Sequence, residues 1–216
     1  MDKNKFVKKL MCIILSLILL IALSTESFCI FEYSMFPARD GAGEVNITIA
    51  GDSYAGYFSQ YEKGKDYNFL VFANAGFNTE HNYSIMMESI DAISTIIFIA
   101  VGVNDQRDNI PPSEFKHRMT MLALKAKEAG KIIFFHTYMI YDYSVYSMLA
   151  PRLYNIAEYD AALRSVANNY SNVYYVDMSE FNQRNFWQSD GLHYNKVFYD
   201  ELYRRMKLII DGFYIK

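Results

Sequence analysis

Ile47-Thr48-Ile49-Ala50-Gly51-Asp52-Ser53 is an apolar, largely β-branched run that breaks into a glycine, a carboxylate and a hydroxyl. The run reads as a buried strand, and the residues from Ser53 to about Tyr61 read as a helix. A serine at that junction sits on the turn at a strand's C-terminal end, with its hydroxyl held out of the core. The free N–H groups of the helix then face any negative charge that develops beside it. Taken alone, such a serine is a helix N-cap, a position the residue fills well. Its meaning depends on what the rest of the chain brings to it.

Four further apolar runs follow: Phe69–Ala73, Thr95–Val101, Lys131–His136 and Val173–Val176. Continuous runs of this kind suit strands buried on both faces. Helical patterns alternate with them. After the helix at Ser53, one is expected from Asn82 to about Ile93. The next opens at Pro112-Ser113-Glu114, carries Phe115, Met119, Leu122 and Ala126 on one face, and stops at Gly130. Another runs from about Arg152 to Asn168, and the last from about Asn195 to Asp211 with a stripe of Phe198, Leu202, Met206 and Ile209. Alternating β and α over one domain predicts an α/β fold, a parallel sheet of five strands with helices on both faces. Sites in such sheets are built by the loops at the strands' C-terminal ends. Ser53, Gly76, Asn104 and the loop Tyr138–Tyr146 all follow strands.

Near the other end of the chain stands Asp190-Gly191-Leu192-His193. A distant imidazole can take the proton of the serine hydroxyl, and a carboxylate can fix the tautomer of that ring. With Asp190 three residues before His193, one short loop carries both partners, and Gly191 gives its turn a freedom other residues lack. Ser53 is thus the candidate nucleophile, His193 the general base and Asp190 the group that orients it. Asp52 is expected to brace the turn through backbone hydrogen bonds rather than to take part in chemistry. His81 and His136 lie near strand ends and are candidate pocket-lining residues, without a carboxylate at comparable spacing.

These residues, with Gly102-Val103-Asn104-Asp105 between them, resemble the SGNH (GDSL) hydrolase family. Gly51-Asp52-Ser53, Gly102 to Asp105 and Asp190 to His193 match its serine, asparagine and histidine blocks in order. The glycine block is assigned to Gly76 in Asn74-Ala75-Gly76-Phe77, with a shorter Asn-to-Gly spacing than the family commonly has. The resemblance implies a flavodoxin-like α/β/α domain over roughly residues 45 to 212. It also implies an oxyanion hole made by the side-chain N–H of Asn104 and the backbone N–H groups of Ser53 and Gly76. A rival serine motif, the Gly-x-Ser-x-Gly elbow of α/β-hydrolases, is missed because Ala55 fills its fifth position. In that fold the serine also follows several strands, whereas Ser53 follows the first.

The chain has 216 residues, 52% of them hydrophobic and 21% charged, enough for one good core. Lys3, Lys5, Lys8 and Lys9 precede an apolar run from Leu10 to Leu23. This reads as a secretory signal over residues 1–24, or as an uncleaved anchor through residues 10–23, followed by a tether over 25–44 and the catalytic domain from 45 to 216. Either way the lysines stay inside and the domain faces out. Removing residues 1–24 takes away four lysines and Asp2 and moves the net charge from −3 to about −6. An acidic exported domain is a poor fit for nucleic acid or anionic lipid. Cys29 is the one cysteine beyond the signal, which excludes an intrachain disulfide there. His81, His117, His136 and His193 show no metal-ligand spacing, and no cofactor or metal is implied.

Nineteen Tyr and sixteen Phe bring the aromatics to 17%, and Tyr54, Phe77, Tyr138 and Trp187 fall near the blocks. Flat apolar rings with polar tips suit sugar faces, although most aromatics fill cores. These four are the candidate substrate-binding residues. The expectation is an exported serine esterase acting on small acyl esters, acetyl above all, of a carbohydrate. The same residues also suit a lipase or thioesterase, or an O-acetyltransferase in which a sugar hydroxyl replaces water. A glycan-binding protein with a relic site is the reading furthest from enzymology.

Overall fold

A computed structural model describes residues 46–62, 67–138 and 156–212. The signal or anchor (1–24), the tether (25–44), most of the Tyr138–Tyr146 loop and the start of the expected helix at Arg152 lie outside the described residues. Five strands run in chain order: β1 (Asn46–Gly51), β2 (Asn68–Ala73), β3 (Ile96–Ala100), β4 (Ile132–His136) and β5 (Val173–Val176). All neighbouring pairs are parallel, and their order across the sheet is β2-β1-β3-β4-β5. Each strand lies within a residue or two of the apolar run that predicts it.

The helices are α1 (Ser53–Glu62), α2 (Thr79–Ser89), the short α3 (Val103–Arg107), α4 (Pro112–Glu128), α5 (Ile156–Asn169) and α6 (Lys196–Ile210). One face of the sheet carries α1 and α6, which touch each other. The other carries α2, α4 and α5, which pack side by side. This is the three-layer α/β/α arrangement expected from the alternation of elements. Ile47, Ile49, Phe58, Phe98, Phe134 and Phe135 are fully enclosed between the layers. Each such side chain contributes roughly 2–3 kcal/mol relative to exposure.

Two departures from the sequence expectation bear on the site. Helix α2 begins three residues early, at Thr79, because Asn78 is its N-cap and accepts from the His81 N–H at 3.0 Å. Helix α3 follows Gly102 directly and has only five residues, too few to leave a periodic apolar stripe.

In this strand order the chain reverses direction across the sheet between β1 and β3, which opens a crevice at their C-terminal ends. Gly51 is level with Ala73 on one side and with Ala100 on the other. Residues that follow these three strands are thereby delivered to one place. The junction demands glycine at position 51: φ is +142°, and an added Cβ would lie 2.0 Å from the Ala100 carbonyl oxygen. Immediately after it, the Asp52 N–H donates to that same carbonyl at 3.1 Å, tying β1's last turn to β3.

Candidate active site

Ser53 opens α1 above the sheet, and its Oγ lies 2.9 Å from Nε2 of His193. The other ring nitrogen, Nδ1, lies 2.6 Å from Oδ2 of Asp190. Burial pushes the Asp190 carboxyl up, but hydrogen bonds from the His193 ring and from the N–H groups of His193 and Leu192 bring it down to about 2. Asp190 is therefore an acceptor only, so Nδ1 carries the ring hydrogen and the Nε2 lone pair faces the serine hydroxyl. A nucleophile within reach of a base, itself oriented by a carboxylate, is the geometry that covalent acyl transfer requires.

The loop that delivers His193 is closed at its root. Trp187 and Tyr194 form an antiparallel bridge, and the Gln188 N–H donates to the His193 carbonyl at 2.8 Å. At its tip Gly191 turns the chain with φ 68°. Tyr54, the residue after the candidate nucleophile, donates its hydroxyl to the Leu192 carbonyl at 3.1 Å and holds the loop over α1. Tyr57, one turn further along α1, sets its ring 4.9 Å from the His193 ring.

The oxyanion candidates converge from the other two strands. Gly76 lies in the turn after β2, where the Phe77 N–H reaches back to the Asn74 carbonyl at 3.4 Å. Neither the Ser53 nor the Gly76 N–H has a hydrogen-bond acceptor among the described residues. Asn104 sits in α3 after β3, with Nδ2 3.2 Å from Asp52 Oδ2 and 3.2 Å from the Phe77 carbonyl. An amide aligned by one carboxyl group and loosely shared with one carbonyl has a hydrogen to give to a stronger acceptor. An alkoxide with full negative charge is such an acceptor.

Asp52 does brace the turn. Its Oδ1 accepts from the Tyr54 N–H at 2.9 Å while Oδ2 takes the Asn104 donor. Complete burial outweighs those donors and raises its pKa to about 8. Asp105 is structural as well: the N–H and hydroxyl of Thr79 both donate to it, the former at 3.0 Å, and burial raises its pKa to about 6.

Three of the four aromatic substrate candidates need correction. Tyr54 is fully buried and engaged with Leu192. Trp187 is 3% exposed, and its ring packs 4.5 Å from that of Tyr194 at the root of the base-carrying loop. Tyr138 is buried too, donating its hydroxyl to Gln106 at 3.0 Å and lying against Gly102 under α3. All three pack behind the segments that carry Ser53, Asn104 and His193, as the general preference of aromatics for cores would have it. Phe77, 39% exposed, keeps a surface for a ligand. His136 is also no pocket residue. It is enclosed among Phe98, Tyr54, Tyr194 and Phe198, and burial drives its pKa down to about 4. His81 is exposed on α2 beside Phe77.

Sequence reasoning missed Asn78, Arg107 and Asp108, which fasten the Gly76 segment to α3. Only Asn78 carried a readable signal, as an N-cap before a helical stretch. Among the described residues no group of three or more His, Cys, Asp or Glu is placed to hold a metal ion, and no helix is long and apolar enough to cross a membrane.

Solved structures of similar fold include a GDSL-like lipase from Bacteroides thetaiotaomicron, 14% identical, with a TM-score of 0.65 over 78% of this chain and 89% of that one. A lipase/acylhydrolase from Enterococcus faecalis is 17% identical, with a TM-score of 0.60 over 78% and 96%. A mutant of an acetyl-xylooligosaccharide esterase from Geobacillus Stearmophilus is 16% identical, with a TM-score of 0.58 over 80% and 96%. Among curated proteins, none matches the sequence. The sequence itself matches the GDSL-like lipase/acylhydrolase family over residues 40–200, and with three of that family's blocks meeting at the ends of β1, β3 and the 187–194 loop, the chain belongs to it.

Proposed function

We propose that the protein is an exported serine esterase that removes short acyl groups, acetyl above all, from esterified carbohydrate. The observation that carries the reading is the continuous hydrogen-bond chain from Asp190 through His193 to Ser53, beside two backbone N–H groups with no acceptor among the described residues. In the reaction, Ser53 Oγ passes its proton to His193 Nε2 and attacks the ester carbonyl carbon. The carbonyl oxygen, now negative, takes hydrogen bonds from the N–H groups of Ser53 and Gly76 and from Asn104 Nδ2, which exchanges its bond to the Phe77 carbonyl for this one. His193 then protonates the departing alcohol. In the second half the same imidazole takes a proton from water, which attacks the acyl-serine and releases the acid and the free hydroxyl.

Export is supported by the basic and apolar residues 1–24, whose removal or retention the N-terminal sequence of the recovered protein reports. The acetyl and carbohydrate parts draw support from export and from the fold shared with an acetyl-xylooligosaccharide esterase. The test is hydrolysis of p-nitrophenyl esters, from acetyl to long acyl, by the full chain beside its Ser53→Ala variant, followed by acetate release from acetylated xylo-oligosaccharides. Short-chain activity that the variant lacks is the expected result. A long-chain preference would transfer the assignment to a lipase or thioesterase, and inertness towards every ester would sink it.

A further inference from the structure

The segment that carries Gly76 makes little structure of its own. It is a single turn, closed at 3.4 Å, around a glycine with φ 79°. With no side chain to pack, nothing local holds the direction of the Gly76 N–H. Part of what holds the segment comes from β1 and α2. The Asn74 N–H donates to the Gly51 carbonyl at 3.0 Å, Asn82 Nδ2 to the Phe77 carbonyl at 3.2 Å and Asn74 Nδ2 to Asn82 Oδ1 at 3.2 Å. The rest comes from α3 and the residue after it. Asn104 Nδ2 donates to the Phe77 carbonyl, Asn78 Nδ2 to Asp108 Oδ2 at 2.8 Å, and the Thr79 N–H to Asp105. The remaining fastening bears on Gly76 itself: Arg107 Nη2 donates to the Gly76 carbonyl at 2.8 Å.

The guanidinium is not a loose surface charge. Its Nε lies 2.8 Å from Asp108 Oδ1 and its Nη2 3.1 Å from Oδ2, a two-point pair that fixes the plane of the donor. Burial would raise the Asp108 carboxyl, but Arg107 and the Asn78 amide hold it below its ordinary value and keep the partner charged. Asp108 thus aims Arg107, and Arg107 pins the carbonyl on one side of the Gly76 Cα. The carbonyl and the N–H of Gly76 belong to two peptide units that meet at its Cα, so the pin fixes the unit on one side and the Cα from which the N–H unit on the other side turns.

We propose that Arg107 is a positioning residue for the oxyanion hole: its bond to the Gly76 carbonyl holds the Gly76 N–H in the direction the transition state needs. This rests on the esterase reading above. An interaction of this kind is felt only once the oxyanion forms, so it appears in kcat and leaves substrate binding alone.

The experiment compares the full-length wild type, Arg107→Ala and Arg107→Lys on p-nitrophenyl acetate, with Ser53→Ala as the blank and thermal unfolding recorded for each. Arg107→Ala should lose kcat by on the order of tenfold to a hundredfold, somewhat less than deletion of a donor itself, with KM within about twofold. Added guanidinium ion at millimolar concentration should restore part of that loss. Arg107→Lys, which offers one donor without the two-point pair, should fall between the two. Loss through KM, loss that tracks a lowered melting temperature without guanidinium rescue, or unchanged kcat in Arg107→Ala would each overturn the assignment while the esterase reading stood. A wild type inert towards the ester would instead remove the esterase reading, and this inference with it.

Discussion

Asp52 shows how much one buried carboxyl group can govern without touching substrate. Its two oxygens accept from the Tyr54 N–H and from Asn104 Nδ2, so it decides which face of the Asn104 amide points towards the crevice. In Asp52→Asn an NH₂ group faces the Asn104 NH₂ group. Two donors cannot share that contact, and the Asn104 amide relieves it by turning over, which puts its carbonyl where the hole needs a hydrogen. We expect kcat to fall by about 10²–10³, the typical cost of losing one such donor. Asn104→Ala in the same assay should fall by a similar factor, and the double variant by little more than either alone. Independent, multiplying losses would show that Asp52 acts by some other route. Tyr54 offers a milder case. Removing its hydroxyl in Tyr54→Phe frees the Leu192 carbonyl beside His193 and leaves the ring packing intact. One neutral hydrogen bond is worth about 1 kcal/mol, so kcat/KM should drop by several-fold and less than tenfold.

At the scale of elements, the strand junctions do the positioning, and β1 depends on Gly51. Gly51→Ala meets both a positive φ and a carbonyl 2.0 Å from the new Cβ, so either β1 and β3 part or the turn is rebuilt. A marked fall in melting temperature is expected, with loss of esterase activity even where the protein still folds; wild-type behaviour would mean the junction tolerates what its geometry forbids. Trp187→Ala should likewise act through stability. It empties a buried site at the root of the base-carrying loop, at a cost of about 3–5 kcal/mol by chemical denaturation, and should not act as a selective rise in KM for glycan esters. The sequence expectation for that tryptophan failed for a definite reason. An aromatic before a catalytic loop is equally suited to a sugar and to a bridge partner, and only the pairing of Trp187 with Tyr194 decides between them. The strands were legible because each is a continuous apolar run, buried on both faces in β1, β3 and β4 and half-buried in the edge strands β2 and β5, and the long helices because one stripe faces the sheet. Helix α3 was not, since five residues give no period to read. The Asn78–Asp108 and Arg107–Gly76 bonds join segments that sit about 30 residues apart, a separation on which local pattern is silent.

Across the whole molecule, three buried titratable groups make stability depend on pH, and they do not pull the same way. His136 has its folded pKa lowered from 6.5 to about 4 by burial. Between those values the unfolded chain binds a proton that the folded one does not, so stability is present above pH 6.5 and is lost as the pH falls towards 4. Asp105 and Asp52, raised by burial from 3.8 to about 6 and about 8, behave oppositely. The folded protein keeps their protons longer than the unfolded chain does, and their contribution declines as the pH rises from 3.8 through 6 and 8. In the wild type the two carboxyl slopes outweigh the opposing imidazole slope between about pH 4 and 6, and only the net of the three is seen, so the curve alone identifies none of them. The variant His136→Phe separates them, because a phenyl ring keeps aromatic character among Phe98, Tyr54, Tyr194 and Phe198, gives up the Nδ1 contact with the Thr137 carbonyl (2.8 Å) at every pH alike, and does not titrate. Urea unfolding of the wild type and the variant should give a stability difference that is flat above pH 6.5. Below it the variant should gain steadily on the wild type, by about 3 kcal/mol in all by about pH 4. A difference that stayed flat throughout that range would mean that His136 binds its proton in the fold as readily as outside it. The aromatic enclosure beneath the catalytic loop would then be open to water, which its burial contradicts.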